Sequence, residues 1–109
     1  MPFQTISSHD LYALLTSDSP PVIIDVRELI ELQDTGHIPD AQHVPLMSFL
    51  AQSLSELSLA KDTRIVINCH LGSRSAAACH HLAHLGCTHV HNLAGGIDAW
   101  IAAGLPIER

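Results

Sequence analysis

Arg64-Ile65-Val66-Ile67-Asn68-Cys69-His70-Leu71-Gly72-Ser73-Arg74-Ser75 joins three local signals in one stretch. Its first half is short, β-branched and continuously apolar, the pattern of a strand buried on both faces of a parallel sheet. Gly72 then allows a tight turn. From Ser73 to Leu85 the pattern becomes helical, with Ala78, Leu82 and Leu85 on one stripe and Gly86 placed to end the helix in the left-handed conformation. A buried strand followed by a short loop and a helix is half of a βαβ unit.

The same alternation extends in both directions. Val22-Ile23-Ile24-Asp25-Val26 is a second buried strand, and shorter strands are expected at Gln42 to Val44 and His89 to Asn92. Leu11, Leu14 and Leu15 follow Ser7-Ser8-His9-Asp10, which has the form of a capping box, so a helix starts there. Leu46, Leu50, Leu54 and Leu57 recur at helical spacing and predict one helix across them. A last helix, around Ile97 to Ala103, is introduced by Gly95-Gly96 and stopped by Gly104 and Pro106. Strands alternating with helices imply right-handed crossovers and an α/β fold around a central parallel sheet. Asp18-Ser19-Pro20-Pro21 reads as a loop, and residues 1–109 as one domain.

Composition excludes several functions. Five Lys and Arg against eleven Asp and Glu give a net charge of −6, which disfavours nucleic acid and anionic lipid as partners. No stretch approaches the roughly 20 apolar residues that span a bilayer, and the start lacks a basic and apolar leader, so a soluble cytoplasmic protein is expected. Three cysteines without CxxC spacing argue against a disulfide framework or a Cys-rich metal site.

Cys69 stands where a buried strand gives way to a helix, the end of an open α/β sheet where ligands bind. A loop turning into a helix can aim several N–H groups inward and stabilise an anion at its centre. Here that anion is the Cys69 thiolate, the nucleophilic form of the side chain. Arg74 either strengthens this positive cradle or braces the loop against Asp25, Glu28 or Glu31. Cys79 and Cys87 lack such a setting and read as structural.

Four motifs now stand in order: Asp25-Val26-Arg27-Glu28, Gly36-His37-Ile38-Pro39, Cys69-x-x-Gly72-x-Arg74-Ser75, and Asn92-Leu93-x-Gly95-Gly96-Ile97-x-x-Trp100. Together they resemble rhodanese domains over nearly the whole chain. The resemblance implies a three-layer fold with a five-stranded, mainly parallel sheet and helices on both faces. It also implies sulfur transfer, in which Cys69 takes a sulfane sulfur from thiosulfate or a persulfide or polysulfide donor and passes it to a thiol, cyanide or protein-thiol acceptor. Catalysis falls to Cys69, and the substrate-binding loop to His70, Leu71, Gly72, Ser73 and Arg74. Asp25, Arg27 and Ser75 give anion-binding or structural support, and neither a metal nor an organic cofactor is needed. Phosphatases and arsenate reductases of a related branch use a longer loop. The four residues between Cys69 and Arg74 suit one sulfur atom better than a tetrahedral oxyanion. The rival from another class is a non-catalytic binding module, or a persulfide carrier dedicated to one protein partner.

Three departures from the family pattern stand out, and the first bears most directly on substrate. His70 and Leu71 supply no permanent cation where many thiosulfate-using members carry Arg or Lys, which predicts weak thiosulfate turnover. The segment between Glu28 and Gly36 is one residue longer than the family form, and Asp40 stands where a glycine is usual; both changes are expected to alter a surface loop at the pocket rim. Among nine histidines, His80 and His84 are four apart on a predicted helix, but without a third convergent ligand they read as solvated. His37 is expected to brace a turn, and His70 either to meet the donor anion or to face solvent.

Overall fold

The computed structural model describes residues 2–109. Its centre is two strands, β2 (Val22–Asp25) and β4 (Ile65–Asn68), paired in parallel with Ile23 opposite Val66 and Asp25 opposite Asn68. Successive side chains alternate between two cores, as a period of two requires. Ile24, Ile65 and Ile67 face one side of the sheet, and Ile23 and Val66 the other. Apolar residues on both faces are what made these runs continuous in the sequence.

Three further strands complete the sheet: β1 (Gln4–Ile6), β3 (Gln42–His43) and β5 (Val90–Leu93). The order is β1-β5-β4-β2-β3, and every neighbouring pair is parallel. This is the expected α/β fold with a central five-stranded sheet. The helices are α1 (Ser8–Leu15), α2 (Leu29–Thr35), α3 (Leu46–Ala51), α4 (Ser73–His84) and α5 (Gly96–Ala102). Phe49 of α3 joins Ala78, Cys79 and Leu82 of α4 in one core, while Leu11 of α1 joins Ile97 and Trp100 of α5 in the other. Among the described residues no helix is long and apolar enough to cross a membrane.

Chain direction locates the site. The connection after β2 runs outward to β3, whereas that after β4 runs the other way to β5. The switch point therefore lies between β2 and β4 at their carboxyl ends, where the intervening loops part and leave room for a ligand.

One expectation is corrected. The helix predicted across Leu46 to Leu57 stops at Ala51, and Gln52 is extended. Ser53 and Glu56 cause the break, since the Ser53 N–H donates to Glu56 Oε1 at 2.9 Å and the Glu56 N–H to Ser53 Oγ at 3.1 Å. This reciprocal pair starts a new turn, from which Leu54 and Leu57 still reach the core. Elsewhere Gly86 ends α4 at φ 96°, in the left-handed region as expected. Asp40 sits at φ 65°, which explains why glycine would be the easier residue there.

Candidate active site

Cys69 follows the last residue of β4, and its side chain belongs to the apolar core under α4. The residue is 1% exposed, yet its sulfur has polar company. The Gly72 N–H donates to Sγ at 3.1 Å and the Ser75 N–H at 3.3 Å, while Ser75 Oγ lies 3.3 Å away. Gly72 adopts φ 125°, unfavourable for any residue with a Cβ, and this turn aims its N–H inward. Three potential donors thus converge on one atom and can hydrogen-bond to charge that develops there during a reaction.

The loop keeps this shape because its carbonyls are held outward. The Ile97 N–H donates to the Cys69 carbonyl at 2.9 Å and the Asp98 N–H to that of His70 at 3.3 Å. Gly96 permits the approach, since a Cβ there would lie 2.6 Å from the Cys69 oxygen and 2.4 Å from that of His70. With the carbonyls engaged by α5, the N–H groups on the opposite side remain available to the sulfur.

Ser75 is held by Asn92 of β5. Its hydroxyl is 2.5 Å from Asn92 Oδ1 and 3.1 Å from the Gly72 carbonyl, which also accepts from Asn92 Nδ2 at 3.1 Å. A hydroxyl has one proton, so it can serve Asn92 while the sulfur is a thiol and turn to the sulfur when charge develops there.

Both nearby arginines are already paired. Arg74 forms a two-pronged contact with Glu31, Nη1 to Oε2 and Nη2 to Oε1, each at 2.7 Å. Arg27 is buried against Asp25 and also donates to Thr35 Oγ1 and the Gly36 carbonyl. Of the carboxylates considered for Arg74, the structure selects Glu31. Asp25 and Arg27 support each other and the Thr35-Gly36 turn. A cavity of about 100 Å³, lined by Arg27, Glu31, Asp34, Thr35 and His70, opens at the switch point.

The other loop residues point away from the sulfur. His70 Nε2 lies 3.0 Å from Asp98 Oδ2 with both side chains about half exposed, and Leu71 and Ser73 are exposed. Asn92 and Asp98 were missed as site residues, although Asn92 lies within a quoted motif. His37 braces a turn as expected, its Nδ1 3.0 Å from the Ile38 carbonyl and its backbone paired with Glu108. His80 packs edge-on against Phe3. Burial pushes the Cys79 thiol up to about 12, as befits a structural cysteine.

The arginine–glutamate fork has a pH signature. Hydrogen bonding from Arg74 holds the Glu31 carboxyl down to about 2 from the usual 4.5, against the opposing effect of burial. A depressed carboxylate stabilises the fold above its unfolded value and loses that contribution as pH falls. Both side chains are about one-third exposed, so solvent screening limits the contribution to about 1 kcal/mol or less. The urea midpoints of the parent and Glu31→Gln should differ at pH 7, with the gap closing between pH 4.5 and 2. A gap that persists unchanged to pH 2 would remove the fork as its cause.

A family model described as Rhodanese-like domain matches residues 7–103. The chain belongs to the rhodanese-like family. A protein named Sulfurtransferase from Allochromatium vinosum is 39% identical over 102 residues, covering 94% of this chain and 92% of that one. Thiosulfate sulfurtransferase GlpE from Haemophilus influenzae is 27% identical, covering 99% and 97% of the two chains. The crystal structure of a rhodanese-related protein from Thermoplasma volcanium superimposes with a TM-score of 0.81 at 32% identity, covering 97% of this chain and 98% of that one. Single-domain members of this family include proteins named sulfurtransferase, and in this chain the cysteine-bearing loop lies at the carboxyl end of the sheet.

Proposed function

We propose that this rhodanese-like protein takes up a sulfane sulfur as a persulfide on Cys69 and hands it to a nucleophilic acceptor. The observation that carries this reading is the convergence of the Gly72 and Ser75 N–H groups and the Ser75 hydroxyl on Sγ. In the first half-reaction the Cys69 thiolate attacks the outer sulfur of a donor such as polysulfide or thiosulfate. The donor's S–S bond breaks, and the shortened polysulfide or sulfite leaves with the electron pair. In the second, cyanide or a thiolate bonds to that outer sulfur and the bond to Sγ breaks, restoring the Cys69 thiolate. The loop donors stabilise the charge that returns to Sγ.

Thiosulfate is expected to be a poor donor. It carries two negative charges, and both arginines near the loop are already bound to carboxylates. His70 is the remaining basic side chain of the loop, and it faces Asp98. Initial rates measured at crossed concentrations of polysulfide and cyanide should give parallel double-reciprocal lines, the signature of a covalent intermediate. Thiosulfate should replace polysulfide only with a much lower kcat/KM. Intersecting lines would overturn the persulfide step. A purely non-catalytic module fits less well, because it has no use for three donors around a thiol.

A further inference from the structure

Four large apolar side chains stand in water at the carboxyl end of the sheet: Leu29 is 57% exposed, Ile30 74%, Met47 76% and Leu71 63%. They come from three successive loops. Leu29 and Ile30 open α2 after β2, Met47 lies in the first turn of α3 after β3, and Leu71 is in the cysteine loop after β4. Hydrogen bonds stitch these loops together. The Leu46 N–H donates to the Val26 carbonyl, which seats α3 beside the turn leading to α2. The Arg74–Glu31 fork joins the start of α4 to the first turn of α2. The four side chains thus form a broken apolar collar at the end of the sheet where Cys69 lies.

Charge around the collar has one dominant sign. Glu28 and Asp98 are exposed there, and His70 is turned to Asp98. Of the five permanent cations, Arg27 and Arg74 are paired with carboxylates, and Arg109 keeps its charge beside the last turn of α2, where it donates to the Asp34 carbonyl, at the opposite end of that helix from Leu29 and Ile30. Lys61 precedes β4, and Arg64 adjoins its amino end, where its carbonyl accepts from Val22. A small free dianion gains little from such a rim, whereas an apolar segment with basic flanks fits it in both respects.

We infer that Leu29, Ile30, Met47 and Leu71 are a docking surface for a protein segment that projects its acceptor cysteine toward Cys69 and carries apolar neighbours with Lys or Arg beside them. The inference rests on the persulfide reading above. Cys69 is buried, so a partner cysteine must project to reach the sulfur, and the collar supplies the contact that holds it there. In transfer outward, the partner thiolate bonds to the outer sulfur of the protonated persulfide and the bond to Sγ breaks. The electron pair stays on Sγ, and the proton leaves with the transferred sulfur. Met47 and Leu71 can adapt to the shape of the segment, and apolar contact at the centre of an interface carries most of its strength.

The test uses full-length protein loaded with polysulfide, freed of excess donor, and followed by intact mass. The probes are two short synthetic peptides, each with one cysteine between leucines, one ending in lysines and the other in glutamates, with glutathione as the small thiol. The lysine peptide should discharge the persulfide about tenfold faster than either alternative at low salt. The double variant Ile30→Ser, Met47→Ser should slow that peptide about tenfold while leaving discharge by cyanide unchanged. Equal rates for the two peptides, or no effect of the double variant, would overturn the inference. So would a dimer of the parent that the double variant dissociates, because the collar would then cover a second copy of the chain. Failure to load sulfur is a different result: it would overturn the persulfide reading, and the docking inference with it.

Discussion

Cys69→Ser should gain no mass from polysulfide, while the parent gains about 32 Da, one sulfur atom, and loses it again on adding cyanide. A serine hydroxyl can occupy the same cradle, within reach of the Gly72 and Ser75 N–H groups, so the variant should fold. What it lacks is a nucleophile able to hold sulfane sulfur. The loss of turnover should therefore be complete within detection, far larger than that from any support residue, because no partial covalent step remains. Cys79→Ser and Cys87→Ser serve as internal controls. Both thiols are buried and raised by that burial, so neither should carry the added sulfur. Sulfur loading that survives Cys69→Ser would assign the chemistry to another thiol, and loading lost in all three variants would point to a fold-wide effect.

The parts of this site that sequence reveals are those made by neighbours in the chain. Strand, Gly72 turn and helix lie within a dozen residues, so the position of Cys69 follows from local pattern, and β2, β4, α4 and α5 fall within about a residue or two of their expected limits. The Ser53–Glu56 pair was also readable, since Ser-x-x-Glu is a helix-start signal, but the regular leucines across it dominated the helical pattern. Strand β1 and helix α2 escaped for another reason. Three residues of edge strand and seven of helix are too short for periodicity to emerge. Contacts between distant segments are the least legible. Glu31 with Arg74, Asp98 with His70 and Asn92 with Ser75 depend on which loops the sheet order brings together.

That dependence explains why the two arginines near the cysteine differ so much. Arg74 is partly exposed and ties one loop to one helix turn, so its loss should loosen the rim of the site without unfolding the domain. Arg27 is 1% exposed and lies against Asp25, which is wholly buried. One pair tunes the mouth, and the other belongs to the framework that holds β2 and β4 in position beneath it.

Asp25→Ala should consequently be the most destabilising single substitution near the site. The Asp25 carboxylate accepts from the Arg27 N–H at 3.0 Å, Arg27 Nε at 3.0 and 3.1 Å, Arg27 Nη2 at 2.9 Å and Asn68 Nδ2 at 3.1 Å. Removing it leaves a guanidinium in the interior with no counter-charge, a loss of about 3–5 kcal/mol. Against a total stability of about 5–15 kcal/mol this is a large share, and the thermal midpoint should fall by roughly 15–30 °C. The pair's attraction is offset by the desolvation of both charges, so replacing both residues with apolar ones should do less harm than removing one. Asp25→Leu combined with Arg27→Met should therefore melt well above Asp25→Ala. Thr35 Oγ1 and the Gly36 carbonyl keep a hydrogen bond to each other in that variant, which leaves Asn68 as the main polar group to lose its partner. Calorimetry distinguishes the cases: a midpoint for Asp25→Ala within a few degrees of the parent would mean that Arg27 finds water or another acceptor. Equal melting of the single and double variants would mean that an unpaired charge is not what unfolds the domain.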